Sequence, residues 1–552
     1  MRTVFAIIFL VSSMVGISAA NWEWVVSSGA SGMDRVWDMA LDNQGNILVT
    51  GEFNDTLQVG STIINGWGLN DVFVAKFSPT GNPIWAKAFG GNEGDIGLSI
   101  DTDSLGNSYV TGYYGGTAHF EEQDLVSAGS WDIFVLKLDS SGNKVWAFSE
   151  GGISNDIGYG LAVMPDGRCF VTGWFGETIN FHDGSSLTSF GGSDIIAFAY
   201  AANGNLLWKR KAGAVGVEYG YKIDVDAQAN SYVTGVAGQD CNFDGVFPPG
   251  DGAFVASYDA NGLIRWINSG SGAGVNSIAV DRSVSMIEQQ GCITGRITGS
   301  AVFGDYVLSS VEGSDDAYGA VFELLTGNWI SATSGGGAGS DKGRACVYNR
   351  HPYFTGSFEV TANLFGFDAN SVGISDGFVY NAAGIGNDWL LTAGGSNNDT
   401  PTDIAVDTAG NVYICGWYSG LARFGATLSI NSGNDSDLDF FVAKINTTTA
   451  NDDNTSEVAL PDLKCYPNPF NNKLCIEYDI SAAQSKASKV INIYNVKGEK
   501  VQSVLTGYKS INTQQAEWDG NNSRGEKCAA GIYYLKGYGT NPSIKKVLLL
   551  NN

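Results

Sequence analysis

Histidine is nearly missing from this chain: three residues in 552, His119, His182 and His351. They stand at unrelated points of the sequence, so neither a zinc site nor a Ser-His-Asp triad has a basis. No G-x-S-x-G elbow and no P-loop sequence occurs. Long apolar runs are also scarce. Arg2, the stretch from Val4 to Met14 and then Ser18-Ala19-Ala20 read as a secretory leader over residues 1–20. That run is too short for a membrane anchor, and an exported, soluble chain without a transmembrane segment is expected. Eight cysteines form no framework, because Cys169, Cys292 and Cys415 hold unmatched positions and Cys465, Cys475 and Cys528 fall near the end. Free thiols are expected, with room for one or two disulfides. Basic residues are few, 31 against 57 acids, for a net charge of −26. Residues 461–552 carry +5, which leaves −31 on residues 1–460. A surface that acidic argues against nucleic acid and anionic lipid as partners.

Glycine is abundant instead, at 74 residues, and aromatics reach 12%. That is a turn-rich β composition. Thr50-Gly51, Thr111-Gly112, Thr172-Gly173, Thr234-Gly235, Thr294-Gly295, Thr355-Gly356 and Cys415-Gly416 recur every 60 to 62 residues. One unit is therefore stacked repeatedly, because a single copy cannot bury its own apolar face. In the second copy, short alternating segments near 97–101, 108–112, 132–137 and 145–147 are separated by Gly/Asn/Asp turns. Four such segments per repeat are the pattern of a propeller blade. A tryptophan recurs at Trp85, Trp146, Trp208, Trp266, Trp329 and Trp389, and Trp24 fits the same register. No strand precedes Trp24 to complete its unit, and no tryptophan strand follows the one at Asp439–Lys444. The two ends are expected to pair and close a seventh blade, which removes two exposed sheet edges.

The repeats Asp103 to Gly112 and Asp407 to Gly416, with Asp71 to Lys76 and Asp439 to Lys444, resemble the bacterial SBBP β-propeller repeat. The resemblance covers residues 21–446, implies a seven-bladed β-propeller and says almost nothing about activity. Residues 447–459 are polar and unpatterned and read as a linker.

The period vanishes over residues 460–552, where short alternating strands suggest a small Ig-like β-sandwich. Tyr466-Pro467-Asn468-Pro469, then Ile493-Tyr494-Asn495, Trp518-Asp519-Gly520, Gly531-Ile532-Tyr533 and a basic-hydrophobic end at Lys545-Lys546 appear in order. This order resembles the C-terminal sorting domain of the Por, or type IX, secretion system. The resemblance implies the secretion machinery as a partner and delivery to the outer cell surface or the medium.

Strand parity places the long two-to-three and four-to-one connections of every blade on one face, the natural place for a ligand. Two residue sets are expected near it. One is acidic: Asp34, Asp95, Asp156, Glu218, Asp341 and Asp399. Each acid either ties the backbone of its own Gly-rich loop or joins a ring of carboxylates for cations such as calcium. The calcium reading is the weaker, since Asp101–Gly106 looks like half a calcium loop but Gly112 stands where the twelfth-position glutamate belongs. No cofactor is expected. The second set is aromatic: Tyr113, Tyr114, Trp174, Phe175, Trp417 and Tyr418, directly after Thr-Gly or its equivalent. These either pack between blades or offer flat faces to sugar rings. Three functions stay open: a surface module binding glycan or protein, a polysaccharide-active enzyme using paired carboxylates, and a structural surface component. The missing catalytic constellation favours the first.

Overall fold

The computed structural model describes residues 20–283, 289–384, 387–447, 463–479, 490–495, 500–505, 507–510, 513–536 and 544–550. Nearly all of the expected leader and linker lies outside these residues. The chain divides into two compact units, Met1–Thr449 and Ala450–Asn552. Among the described residues all regular structure is β, and no helix is long and apolar enough to cross a membrane.

In the first unit strands pair antiparallel in fours. Arg35–Leu41, Ile47–Phe53, Asp71–Phe77 and Pro83–Gly91 form the first group. Ile96–Thr102, Ser108–Phe120, Gln123–Leu138 and Lys144–Glu150 form the second. The third is Asp156–Val163, Cys169–Asn180, Ser186–Tyr200 and Leu206–Ala212. Tyr219–Val225, Ser231–Ala237 and Gly252–Tyr258 pair with the front half of Ile264–Val280 as the fourth. The back half of that strand opens the fifth, with Gln290–Phe303, Asp315–Glu323 and Trp329–Gly337. Lys342–Asn349, His351–Phe358, Asp376–Asn381 and Trp389–Gly395 make the sixth. The last group joins Asp399–Val406, Val412–Ser419 and Leu438–Asn446 to the N-terminal strand Asn21–Ser28.

The first strand of each group touches the first strand of the next, and Asp399–Val406 touches Arg35–Leu41, so the inner strands form a closed cycle. A second cycle runs further out. Gly90 and Gly91 pair with His119 and Ala118 of the next group, and Gly394 and Gly395 with Arg423 and Ala422. At the joint made by the chain's own ends, Gly29 N–H donates to the Gln58 carbonyl at 3.3 Å.

The recurring Thr-Gly follows from this packing. Thr111 Oγ1 donates to the Phe134 carbonyl at 2.8 Å, and the threonines at 50, 172, 234, 294 and 355 repeat that bond to their own third strands. A Cβ on Gly112 would stand 1.9 Å from the Ile96 carbonyl oxygen, and at Gly51 and Gly173 the clash would be as severe. Only glycine admits so close an approach. The Asp-x-x-Gly-Asn turns are side-chain ties: Asp103 Oδ1 accepts from the Leu105 and Asn107 N–H groups at 2.9 and 3.0 Å.

The second unit has two antiparallel four-stranded sheets. Leu463–Tyr466, Leu474–Asp479, Thr513–Trp518 and Gly507–Ser510 make one; Lys500–Leu505, Val490–Asn495, Gly531–Lys536 and Ile544–Leu549 make the other. Both contribute to one core that includes Phe470, Ile476, Ile493, Trp518, Leu535 and Leu549.

Candidate functional site

The close approach at Thr-Gly has a counterpart on the inner strand. In every group the inner strand carries a β-bulge where its partner's glycine sits, and the extra residue is Trp37, Leu98, Tyr159, Tyr221, Asn276, Arg344 or Thr402. Bulges re-aim a side chain. Each of these seven is half-buried, whereas the residues beside them are buried, Lys222 excepted. They reach towards neighbouring inner strands: Tyr159 meets Tyr221 at 5.5 Å between ring centroids, and Thr402 Oγ1 donates to the Val36 carbonyl at 3.0 Å. The result is a channel mouth with one extra side chain from each group.

Strand alternation splits the aromatic set. Tyr113, Trp174 and Trp417 are half-buried, while Tyr114, Phe175 and Tyr418 are fully buried in the core. The second residue of each pair is therefore excluded as a platform for a ligand. Trp174 lies 5.6 Å from Tyr219, which stacks on Tyr221 at 6.1 Å, and Tyr113 lies 4.9 Å from Trp131. The Arg35 guanidinium sits 5.3 Å from the Trp417 ring centroid. The Tyr113 hydroxyl is pushed up to about 12 by burial and then by the Glu52 charge.

Charges interleave with these rings. Arg35 pairs with Glu52 at 3.8 Å, and both Arg296 and Lys342 share Asp315, at 3.2 and 3.8 Å. Burial, and Arg296 nearby, lower the pKa of Arg344. Deeper in the channel Lys222 Nζ meets Asp38 Oδ1 at 2.6 Å, and Asp38 Oδ2 accepts from Ser99 Oγ at 2.6 Å. Beyond this crossing lies a cavity of ≈ 670 Å³ whose walls include Asp101, Asp224 and Arg282. Arg282 bridges the two acids at 3.2 and 2.5 Å.

The acid series is tied into the loops that lead to the inner strands. Asp95 accepts from the Gly91 and Gly115 N–H groups at 2.6 and 3.0 Å, Asp156 from Gly152 and Gly176 at 2.7 and 3.1 Å. Asp34, Glu218, Asp341 and Asp399 hold Ala30, Ala214, Gly337 and Gly395 in the same way, at 2.6–2.9 Å. All six are buried, and burial raises the pKa of each, to about 7 for Asp34, Asp95, Asp156 and Asp399 and about 6 for Asp341. They fix the Gly-rich loops. Among the described residues no cluster of three or more His, Cys, Asp or Glu is placed to hold a metal.

Two features escape a reading of the sequence. The bulge residues share no residue type, so no period exposes them. A second acid series, Asp71, Asp132, Asp194, Asp316, Asp376 and Asp439, lies on the third strand of its groups and is also buried. Its signal is the aspartate that opens Asp71 to Lys76 and Asp439 to Lys444, which in sequence reads as an ordinary strand start.

In the second unit the motif residues converge. Asn468 Nδ2 donates to the Lys546 carbonyl at 3.0 Å, and Asn468 Oδ1 accepts from Leu548 N–H at 2.8 Å. Phe470 packs on Trp518 at 5.4 Å between ring centroids. Asp519 turns the chain by accepting from Asn521 N–H at 3.0 Å, and Gly520 has φ +77°. Tyr466-Pro467 and Asn468-Pro469 are cis. The Tyr466 ring is exposed, Gly531 has φ +157° where its strand begins, and Lys545 is half-buried beside exposed Lys546 on the final strand.

Comparison with known proteins decides the two parts. A "Beta-propeller repeat" family, SBBP, matches residues 388–417, and a "Secretion system C-terminal sorting domain" matches residues 464–550. The chain thus carries a match to a β-propeller repeat and, near its C-terminal side, a match to a secretion sorting domain. It is exported, to be attached at the outer cell surface or secreted. An uncharacterized WD repeat-containing protein of Acanthamoeba polyphaga mimivirus is 23% identical over 284 residues, 40% of this chain and 20% of its own. Regulatory protein FlaEY of Caulobacter vibrioides is 28% identical over 153 residues, 26% of this chain and 16% of its own. The chain thus spans a fifth or less of the curated relatives it matches. Among solved structures, quinohemoprotein alcohol dehydrogenase from Comamonas testosteroni aligns at 10% identity and TM-score 0.37, over 77% of this chain and 76% of its own. PorZ, a surface component of the type IX secretion system of Porphyromonas gingivalis, aligns at 10% identity and TM-score 0.14, over 95% and 100%. Similarity at this level assigns no activity.

Proposed function

We propose that residues 21–446 are a closed seven-bladed propeller acting as a binding module outside the cell, delivered by an Ig-like sorting domain over residues 460–552. The type IX machinery is its partner during export. The ligand surface is the channel mouth on the loop-rich face, and a saccharide is the ligand class that suits it. One observation carries this reading. Trp37, Tyr159 and Tyr221 at the bulges, and Tyr113, Trp174 and Trp417 after the glycine of each repeat, are half-buried rather than sealed in the core, which supports an aromatic rim. Flat apolar faces bordered by hydrogen-bonding and charged groups are what sugar rings stack on. The two acids at the rim, Glu52 and Asp315, are each paired with cations, which suits recognition better than general acid-base work.

The test is a screen of the full exported chain against a glycan array and surface extracts, repeated with Trp174→Ala and Trp417→Ala. Each substitution is expected to weaken binding at least tenfold with an unchanged melting temperature. Binding that survives both changes would move the site elsewhere.

A further inference from the structure

Arg344 is the extra residue of the sixth group's bulge, and its guanidinium makes no hydrogen bond and no ion pair among the described residues. Its Nε is buried without an acceptor. Yet the chain carries 57 acids against 31 Lys and Arg. The acids at the mouth are already engaged, Glu52 by Arg35 and Asp315 by Arg296 and Lys342. The charged neighbour that Arg344 does feel is Arg296, of its own sign, and Arg296 also acts on Tyr221. Four cations, Arg35, Arg296, Lys342 and Arg344, thus stand at this rim on a protein of net charge −26. Keeping a half-buried cation uncompensated costs stability. The cost makes sense when a ligand supplies the missing charge.

We propose that the mouth takes a saccharide bearing an anionic group, with Arg344 receiving the carboxylate of a uronic acid unit or a sulfate ester while the sugar ring stacks on the neighbouring aromatics. A guanidinium presents a planar fork of donors that matches either anion bidentately. The inference rests on the saccharide reading of the mouth. Non-specific attraction does not imitate this, because the protein's net charge repels polyanions at a distance.

The experiment uses the full exported chain and calorimetric titration with four polymers: alginate, carboxyl-reduced alginate, dextran sulfate and dextran. Binding is measured for wild type, Arg344→Gln and Trp174→Ala. At least one anionic polymer is expected to bind ten times or more tighter than its neutral counterpart, and alginate against dextran sulfate separates carboxylate from sulfate. Arg344→Gln should erase that preference. Its melting temperature without ligand should match or exceed wild type, since an unpaired half-buried cation has been removed; a structural arginine would lower it. An anionic-to-neutral ratio unchanged by Arg344→Gln, or a lowered melting temperature, overturns the inference. If neutral polymers bind equally well and Trp174→Ala abolishes that binding, the saccharide reading stands and the anionic one falls. If none of the four binds, both fall.

Discussion

Asp34 and Asp439 hold the two sides of one turn, although 404 residues separate them and they belong to the first and the last strand groups of the first unit. Asp34 Oδ2 accepts from Ala30 N–H at 2.7 Å, and a Cβ added to Gly29 would lie 2.1 Å from Asp439 Oδ1. The same relation recurs within the chain. Asp71 and Asp95 flank Gly90, with oxygens 2.2 and 2.9 Å from a Cβ built there. Asp132 crowds Gly151, Asp194 Gly213, Asp316 Gly336 and Asp376 Gly394. Where the fourth group meets the fifth, Gly252 and Ala273 stand in both acid positions and one strand, Ile264–Val280, runs through. The two acids are lost together. They act as a pair that clamps the loop between one group and the next, and Asp34 with Asp439 makes that clamp at ring closure.

The clamp predicts an unusual pH dependence. Burial raises Asp34, Asp95, Asp156, Asp399 and Asp439 to about 7 from an ordinary 3.8. Below 3.8 folded and unfolded chains both hold these protons, the stability these groups allow is fully present, and it does not change with pH. Between 3.8 and about 7 the folded chain binds more protons than the unfolded one, so stability falls as pH rises. Above about 7 the loss is complete. Asp42 and Asp139 act oppositely, since side-chain and backbone hydrogen bonds outweigh burial and lower them; their stabilisation disappears as pH falls below 3.8. The melting temperature is therefore expected to peak between pH 4 and 6 and to be lower at pH 8. A monotonic rise from pH 4 to 8 would contradict the clamp.

Ring closure predicts a large cost for disturbing the N-terminal strand. Trp24 is half-buried against Tyr413, with ring centroids 6.3 Å apart, and packs on Gly81. Trp24→Ala should cost about 3 kcal/mol, the low end for a large aromatic because the ring is only half-buried. Gly29→Ala should cost about 1–3 kcal/mol, because its methyl group would overlap the Asp439 carboxyl. Urea unfolding with unchanged slope is the measurement. Deleting Asn21 to Ser28 should prevent cooperative unfolding altogether, and a normal transition would mean the ring closes some other way.

The channel crossing gives a third prediction. Burial disfavours charge on Lys222, but Asp38 and Asp403 outweigh it and raise its pKa. Lys222→Met leaves those two carboxyls facing each other in the interior and should cost about 3 kcal/mol at neutral pH. Protonating an aspartate relieves the conflict, so the deficit should shrink at pH 5. An equal deficit at both pH values would show that Lys222 contributes packing rather than charge.

Much of the architecture was legible because it is periodic. Trp24 and Phe440 are out of place in any open array of repeats, and their pairing follows from that alone; the strands containing them do pair, with Val26 opposite Val442. The loop acids were legible as equivalents, and Asp341 takes the same place although it lies 12 rather than 10 residues after its tryptophan. The mouth was not legible, for a physical reason. A bulge is specified by the backbone and by the glycine opposite, so the residue it exposes is free to be tryptophan, tyrosine, asparagine or arginine. Tyr113 and Tyr114 look alike in sequence, and strand alternation alone sends one to the rim and the other to the core.

The sorting domain supplies the last prediction. Asn468 of the Tyr-Pro-Asn-Pro motif makes two hydrogen bonds to the final strand, at the Lys546 carbonyl and Leu548 N–H. Phe470 continues the contact by donating to the Leu548 carbonyl at 2.9 Å and accepting from Leu550 N–H at 2.8 Å. The motif therefore fixes the basic end of the chain rather than presenting itself. Replacing Lys545 to Leu550 by Gly and Ser should abolish appearance outside the cell. Asn468→Ala removes two hydrogen bonds worth about 1 kcal/mol each and should loosen the strand without unfolding the domain. If the strand itself is what the export machinery reads, Asn468→Ala should reduce delivery in proportion to the loosening, measured as hydrogen exchange of Leu548. Full delivery with a loosened strand would show that position is immaterial and that Lys545 and Lys546 are read as charge alone.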